Sequence, residues 1–484
     1  MLETNAHNQL KYLLRGNSCP WPHNLTLSRL VGRSLRRLDY SLIELDIGSQ
    51  DFWWPGLLIP LNLSPLSIAL VLSKSQRLQL LKIELPLLQK KGFQLSCWEG
   101  PKPPPNQQIW LLNHSELINA FDKGFLQSKY LVIPEAEFLN EKLRESMALE
   151  IKLKDWESLR KAHPSIDAQL MKLYEHLTRK VFSNAARIDD VVRIDRSEII
   201  TLIEMLDGLS PSPSPWPKLV KSKSNYWASW ASLNHKTLHW TLNLRVLEPF
   251  QVLKDHLHNQ PILLLTGTGK SNLLRGQLES IELPLNVKVT LGGSMIQEPI
   301  SLFAPQRQPL PNTEFYAKYL LDQCRRLILG MSEMTILLLD DYHLRQQLTS
   351  ELAADFGIRV CHETTSVQLN GVLCCRWSWW LANQNKLPNP KQLIVALLPL
   401  PSLEEPFIAA RVDALKEQGR DWFREFLLPE ALSLLPKAVA PLRASDGRIA
   451  ILDGRLRSRS WGKQFLKSLE PWKPLQRLLP NVTS

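Results

Sequence analysis

Ser41-Leu-Ile-Glu-Leu-Asp-Ile47, followed by Gly48-Ser-Gln-Asp-Phe-Trp-Trp54 and Pro55-Gly-Leu-Leu-Ile-Pro60, is the stretch from which the fold can be read. The apolar run predicts a short strand, the polar residues after Gly48 a turn, and Pro55 the start of a helix, where a missing N–H costs nothing. Strand, turn and helix in that order form the frame of a phosphate loop. The chemistry of such a loop needs glycines whose N–H groups close around phosphates, a lysine on the outer phosphates and a hydroxyl on magnesium. Of that set Gly48 alone is present, and Trp53 and Trp54 stand where the lysine and hydroxyl belong. An indole offers one N–H and no charge. The plainer alternative is a strand, a turn and an aromatic core pair.

Outward from this stretch, apolar runs at Ser67 to Ser73, Ile109 to Leu112 and Tyr130 to Ile133 alternate with helical stretches. That alternation predicts a parallel α/β sheet. Residues 1–205 are expected to form a first domain, with a helical insertion over about 138–209. The Pro/Ser-rich run beginning Ser210-Pro-Ser-Pro-Ser-Pro-Trp-Pro217 predicts a stiff linker over 210–225. A second α/β domain is expected over 226–484, with strands at 261–266, 335–339, 358–361, 371–375, 392–398 and 448–452. Trp227, Trp230 and Trp240 could stack on bases or anchor an interface. Asp340 and Asp341 read as helix N-caps, and no lone histidine has the partners that catalysis would need.

Several of these segments resemble, in order, the motifs of the DinG/XPD family of superfamily 2 DNA helicases. Ser67 to Leu88 resembles the family's second strand and the residues that touch nucleic-acid backbone, which here are Gln76 and Arg77. Ile109-Trp-Leu-Leu-Asn-His-Ser115 resembles the next strand and its turn. Tyr130 to Leu139 resembles the strand ending in Asp-Glu-Ala-His, written here Pro134-Glu-Ala-Glu137. Pro134 replaces the magnesium-ordering aspartate, and Glu135 holds the water-polarising position as a vestige. Leu263-Leu-Leu-Thr-Gly-Thr-Gly-Lys-Ser271 aligns with the family's Thr-Ser-(Ala/Gly)-Thr-Leu box. An alternative makes Lys270 a phosphate-loop lysine, although Leu264 stands where that pattern wants glycine.

The C-terminal resemblance runs through Leu397 to Phe407, Gly419-Arg-Asp-Trp-Phe423, Leu428-Pro-Glu-Ala431 and Ile449 to Leu456. Between the last two, the family's Gln-Gly-x-Gly-Arg-x-x-Arg becomes Lys437-Ala-Val-Ala-Pro-Leu-Arg-Ala444, so Pro441 and Ala444 replace the arginine fingers. Trp377-Ser-Trp-Trp-Leu-Ala382 resembles the Phe-Trp-Glu-Gly box with Trp380 kept.

The resemblance implies two RecA-like parallel-sheet domains, ATP and magnesium as cofactors, and ATP-dependent unwinding of DNA. The altered stations imply that the cofactors are not used and that the activity is lost or strongly reduced. A working helicase and a non-enzymatic protein scaffold remain the alternatives. Cys97 is the sole cysteine between the two altered nucleotide motifs, where iron–sulfur relatives place four ligands, so no cluster is expected. Cysteine spacing fits a reduced compartment, and neither a signal peptide nor a membrane span is evident, so the cytoplasm is expected. The 484 residues carry a net charge of +11, which favours polyanion partners. Basic residues gather on Arg29, Arg33, Arg36 and Arg37 and on Arg455, Arg457, Arg459 and Lys463. Phosphate-backbone binding, to single-stranded DNA in particular, is therefore expected, with a protein partner as a further expectation.

Overall fold

The structure is a computed structural model that describes residues 2–15, 21–46, 52–106, 108–184, 191–209, 211–222, 226–267, 271–292, 298–329 and 331–475. The chain divides into two compact units, Met1–Met295 with Leu403–Ala414, and Ile296–Ser402 with Leu415–Ser484.

The first unit is built on β1 (Ser41–Leu45), β2 (Ile68–Val71), β3 (Cys97–Trp98), β4 (Ile109–Leu112), β5 (Tyr130–Ile133), β10 (Ile262–Gly267) and β11 (Val287–Leu291). These strands are parallel and ordered β11-β1-β10-β5-β2-β4-β3. Every residue of β2, β4 and β5 is buried, as expected of strands covered by helices on both faces. On one face lie α1 (Leu2–Leu14), α2 (Asn24–Arg37) and α3 (Trp54–Leu63). The pattern of α2 is amphipathic, burying Leu27, Val31 and Leu35 while its four arginines face solvent. Gly32 lets α1 come close, since a Cβ there would lie 3.2 Å from the Glu3 Cα.

Between β5 and β10 the chain forms an insert with its own core and an antiparallel sheet ordered β6-β9-β8-β7. Its strands are β6 (Leu149–Ile151), β7 (Val191–Arg193), β8 (Trp227–Asn234) and β9 (His239–Val246). The tryptophans build this core. Trp240 stacks on Tyr174 with centroids 5.3 Å apart, and Trp156 meets Trp216 edge-on at 5.0 Å. Residues of the segment Leu403–Ala414 complete the unit. Phe407 lies against Trp230 and under the Arg144 guanidinium, Asp413 pairs with Arg193 at 2.5 Å, and Arg411 pairs with Glu248 at 3.3 Å.

Three expectations are corrected here. The strand at 261–266 does not open the second domain; β10 pairs with both β1 and β5, so the first unit extends to residue 295. The described part of the expected 210–225 linker, residues 211–222, belongs to the insert, because Trp216 is fully buried in the insert core and donates from Nε1 to the Asp155 carbonyl at 3.0 Å. The insert is also not purely helical, and it continues past residue 209 through the β8–β9 hairpin.

The second unit carries β12 (Ile300–Phe303), β13 (Thr335–Leu338), β14 (Val360–His362), β15 (Val372–Cys375), β16 (Gln392–Val395), β17 (Arg448–Ile451) and β18 (Trp472–Pro474). They form a parallel sheet ordered β14-β15-β13-β16-β17-β12-β18. Two RecA-like parallel sheets are therefore present, as the sequence predicts.

Candidate nucleotide and nucleic-acid site

The register Leu42–Leu264–Ile133 aligns β1, β10 and β5 side by side. Their carboxyl ends, Leu45, Gly267 and Ile133, therefore lie along one edge, and Pro134-Glu135 follows the last of them. Ligands of open parallel sheets bind at such an edge. Gly48 and Lys270, both predicted site residues, lie outside the described residues.

Trp53 and Trp54 stack with centroids 4.3 Å apart, at the start of α3. Trp54 is 0% exposed and Trp53 7%, both within the core under α1 and α2. The Trp54 Nε1–H is buried with no partner among the described residues, so the ring is there for its bulk. In α3 the second residue, Pro55, has no N–H, and the Gly56 amide is taken by the Asn24 Oδ1 at 3.1 Å. The same Asn24 side chain donates to the Phe52 carbonyl at 2.8 Å and the Trp21 carbonyl at 3.4 Å. A Cβ on Gly56 would stand 2.8 Å from the Asn24 Oδ1. Trp21 donates from Nε1 to the Asp46 Oδ1 at 2.8 Å. Side chains of the amino-terminal helical pair thus cap the helix start where a phosphate loop presents amides to an anion.

The other stations agree. Pro134 is buried, and Glu135 follows it, exposed and in the left-handed region at φ 52°. Ser271, the hydroxyl neighbour of Lys270, donates to the Glu44 Oε1, and Thr290 reaches the Glu44 Oε2 at 3.5 Å. In the second unit Pro441 lies inside the helix Leu428–Ala444, and Arg443 donates to the carbonyls of Glu298, Leu469 and Pro471. The described residues at these stations do not fit a magnesium-bound triphosphate: bulk stands for lysine, proline for aspartate, and Arg443 is held by main chain.

The predicted nucleic-acid residues divide. Gln76 is buried in a capping box with Ser73, and Arg77 donates to the Leu111 carbonyl and Glu116, both at 3.0 Å, with Glu99 at 3.5 Å. Arg455 clasps Asp453 at 2.7 Å, a carboxylate that is 0% exposed and also accepts from the Leu398 amide at 2.9 Å. These three have partners within the fold. Arg457, Arg459 and Lys463 are exposed, on a surface that also holds half-buried Trp461 in contact with Phe423 at 5.5 Å. Asn24 and Trp461 went unnoticed in the sequence; only the chain's return to residues 52–56 gives Asn24 its meaning. Of the aspartate pair, Asp341 caps the helix Tyr342–Phe356 as expected, through the Leu344 amide at 2.8 Å, whereas Asp340 accepts from the Trp377 amide of another helix at 3.0 Å. Burial, with Glu99 adding, pushes the Cys97 thiol up to about 12.

No family model matches the chain. A segment of 176 residues, 34% of this chain and 28% of the relative, is 28% identical to the ATP-dependent DNA helicase YoaA of Escherichia coli (strain K12). A segment of 105 residues, 21% of this chain and 16% of the relative, is 31% identical to the protein of the same name from Haemophilus influenzae. The matched part thus spans less than a third of either relative. Among solved structures, one titled XPD_Helicase is similar at a TM-score of 0.57 and 11% identity, over 93% of this chain and 98% of that one. The structure of S. tokodaii Xpd4 is similar at 0.54 and 15%, over 90% and 96%. No described helix is long and apolar enough to cross a membrane.

Proposed function

We propose that this chain, a DinG/XPD-type superfamily 2 helicase by kinship and fold, binds single-stranded nucleic acid without ATP-driven unwinding. The observation that carries the reading is the filled helix start of α3, where Trp53, Trp54 and Asn24 occupy the place of lysine, hydroxyl and phosphate. Catalysis of phosphoryl transfer is almost wholly positioning and charge stabilisation, so the loss of several stations together leaves little to lower the barrier. ATP and magnesium are accordingly not cofactors of this protein, and the reduced cytoplasm is its expected compartment.

Binding is assigned to the exposed Arg457, Arg459 and Lys463, with Trp461 beside them. Lysines and arginines on phosphates make affinity salt-dependent, by a slope of about 0.7 per single-strand contact. Titration of a labelled oligothymidylate over a salt series, with wild type and the triple alanine variant, tests this: the slope should shrink by roughly 2 for three contacts. Affinity should be the same with and without ATP, and ATP turnover should stay at background with or without DNA. Turnover stimulated by DNA would restore the working helicase. Absence of binding at low salt would leave the protein-interaction scaffold.

A further inference from the structure

The sheet edge in the second unit where β12 and β17 end carries an open cleft of about 510 Å³, lined by Gln306, Arg307, Gln308, Tyr319, Arg457 and Ser458 with the backbone of Pro309 and Gly454. That size is in the range of sites for small organic ligands. Gly454 closes its floor: a Cβ there would lie 2.4 Å from the Pro309 carbonyl oxygen and 2.7 Å from that of Gln308, so glycine alone lets the 306–309 segment settle onto the turn.

What distinguishes the cleft is its arginines. Elsewhere nearby, guanidiniums are spent on the fold: Arg455 on Asp453, Arg443 on three carbonyls, Arg448 on Gln392 at 2.6 Å and the Leu327 carbonyl. Arg307 has no ion pair or hydrogen bond among the described residues, and the one contact of Arg457 is a 3.4 Å approach to the Ala304 carbonyl. Two exposed cations without a carboxylate therefore meet on one concavity. Guanidinium pairs are suited to phosphate because their planar forks match its oxygens. The polar wall is unfinished as well. Gln308 is pinned by its Nε2, which donates to the carbonyls of Pro305 at 2.9 Å and Ile451 at 3.1 Å, while its Oε1 is buried without a donor. The Tyr319 hydroxyl is likewise buried without a partner, and burial, with Cys324 adding, pushes its pKa up to about 12, so it remains a donor. Leaving such groups unmatched is costly.

We infer that this cleft is a nucleotide subsite: Arg307 and Arg457 hold one phosphate ester, and the Gln308 and Tyr319 side chains complete the wall that meets the rest of the nucleotide. The inference rests on the nucleic-acid reading only for the choice of a nucleotide as the phosphate's carrier. Two sources supply that chemistry, a free nucleotide and one unit of a strand, and the experiment separates them. Equilibrium dialysis with dTMP, and titration of an unlabelled-against-labelled oligothymidylate, are run on the intact chain, on Arg307→Ala/Arg457→Ala and on the control pair Lys467→Ala/Lys473→Ala, two exposed lysines of the same unit.

Saturable dTMP binding that weakens roughly tenfold or more in the first pair and not in the control supports a free-nucleotide subsite. Strand binding that falls further in the first pair than in the control, with dTMP unbound, supports a strand unit. Equal losses in the two pairs, or no effect of the first pair on either ligand, overturn the inference. Failure of strand binding alone counts against the broader reading and leaves dTMP to decide this one.

Discussion

Asn24 is the residue through which the second amino-terminal helix holds the start of α3, and its removal has a calculable cost. The side chain is 1% exposed, accepting from the Gly56 amide and donating to the Phe52 and Trp21 carbonyls. In Asn24→Ala the Gly56 N–H loses its acceptor inside the first turn of α3, where no intrahelical carbonyl replaces it. An orphaned buried donor costs about 1–3 kcal/mol and the other bonds add about 1 kcal/mol between them, so the first unit should lose about 2–4 kcal/mol. In a domain of this size that is a fall of roughly 4–8 °C in melting temperature. Differential scanning calorimetry reads the shift, and hydrogen exchange at the Gly56 amide should accelerate. Gly56→Ala should also destabilise, because its Cβ would press on both the Asn24 Oδ1 at 2.8 Å and the Asn24 carbonyl at 2.9 Å. The double variant should be less costly than the sum, since only the side-chain half of that clash is relieved. Additive losses, or an Asn24→Ala protein that melts with wild type and exchanges Gly56 no faster, would refute that role.

Arg455→Ala should cost roughly 3 kcal/mol by stranding the buried Asp453 carboxylate, yet leave the salt slope of strand binding as it was; a reduced slope would return Arg455 to the binding surface. Burial, aided by Lys142 nearby, lowers the His114 pKa to about 4 from the ordinary 6.5, so between those values the unfolded chain takes a proton that the folded one refuses. Stability tied to His114 is complete above pH 6.5 and lost as the pH falls towards 4, and urea midpoints of His114→Gln should be flatter than wild type across that window. Trp54→Ala, a truncation at a site with 0% exposure, should cost about 3–5 kcal/mol; a loss under about 1 kcal/mol would mean that the stacked pair is not core.

The parallel strands were legible because burial on both faces leaves a plain signature, as in Ile68-Ala-Leu-Val71 and Thr335-Ile-Leu-Leu338. Their grouping was less so. The run 262–267 is as apolar as its neighbours, and nothing local tells that it inserts between β1 and β5 after an excursion of more than a hundred residues. The insert's strands alternate among tryptophans and small polar residues, and β6 and β7 have three residues each, too few for a period to show. The Pro/Ser run has the composition of a linker, and it is the buried side chains of Trp216 and Leu219 that hold it to a core. At the site, the burial of the aromatic pair Trp53 and Trp54 matches the plainer reading of a strand, a turn and a core pair. The commitment of Arg77 and Arg455 to carboxylates could not be read, since charge in a sequence does not say whether its partner is a phosphate or a neighbour in the fold.

The stacked tryptophans also act as a ratchet on what this fold can become. In a solvated loop, an exchanged catalytic residue can be exchanged back one position at a time. Trp53 and Trp54 are instead part of the volume that α1, α2 and β1 enclose, so Trp53→Lys with Trp54→Thr would put an ammonium group and a void into a close-packed interior. Two such changes approach the whole stability of an ordinary domain, about 5–15 kcal/mol. A lysine-bearing loop could therefore be regained only after Trp21, Asn24 and the helices behind them had been repacked around a smaller pair, and every intermediate on that route would have to fold before any could bind a phosphate.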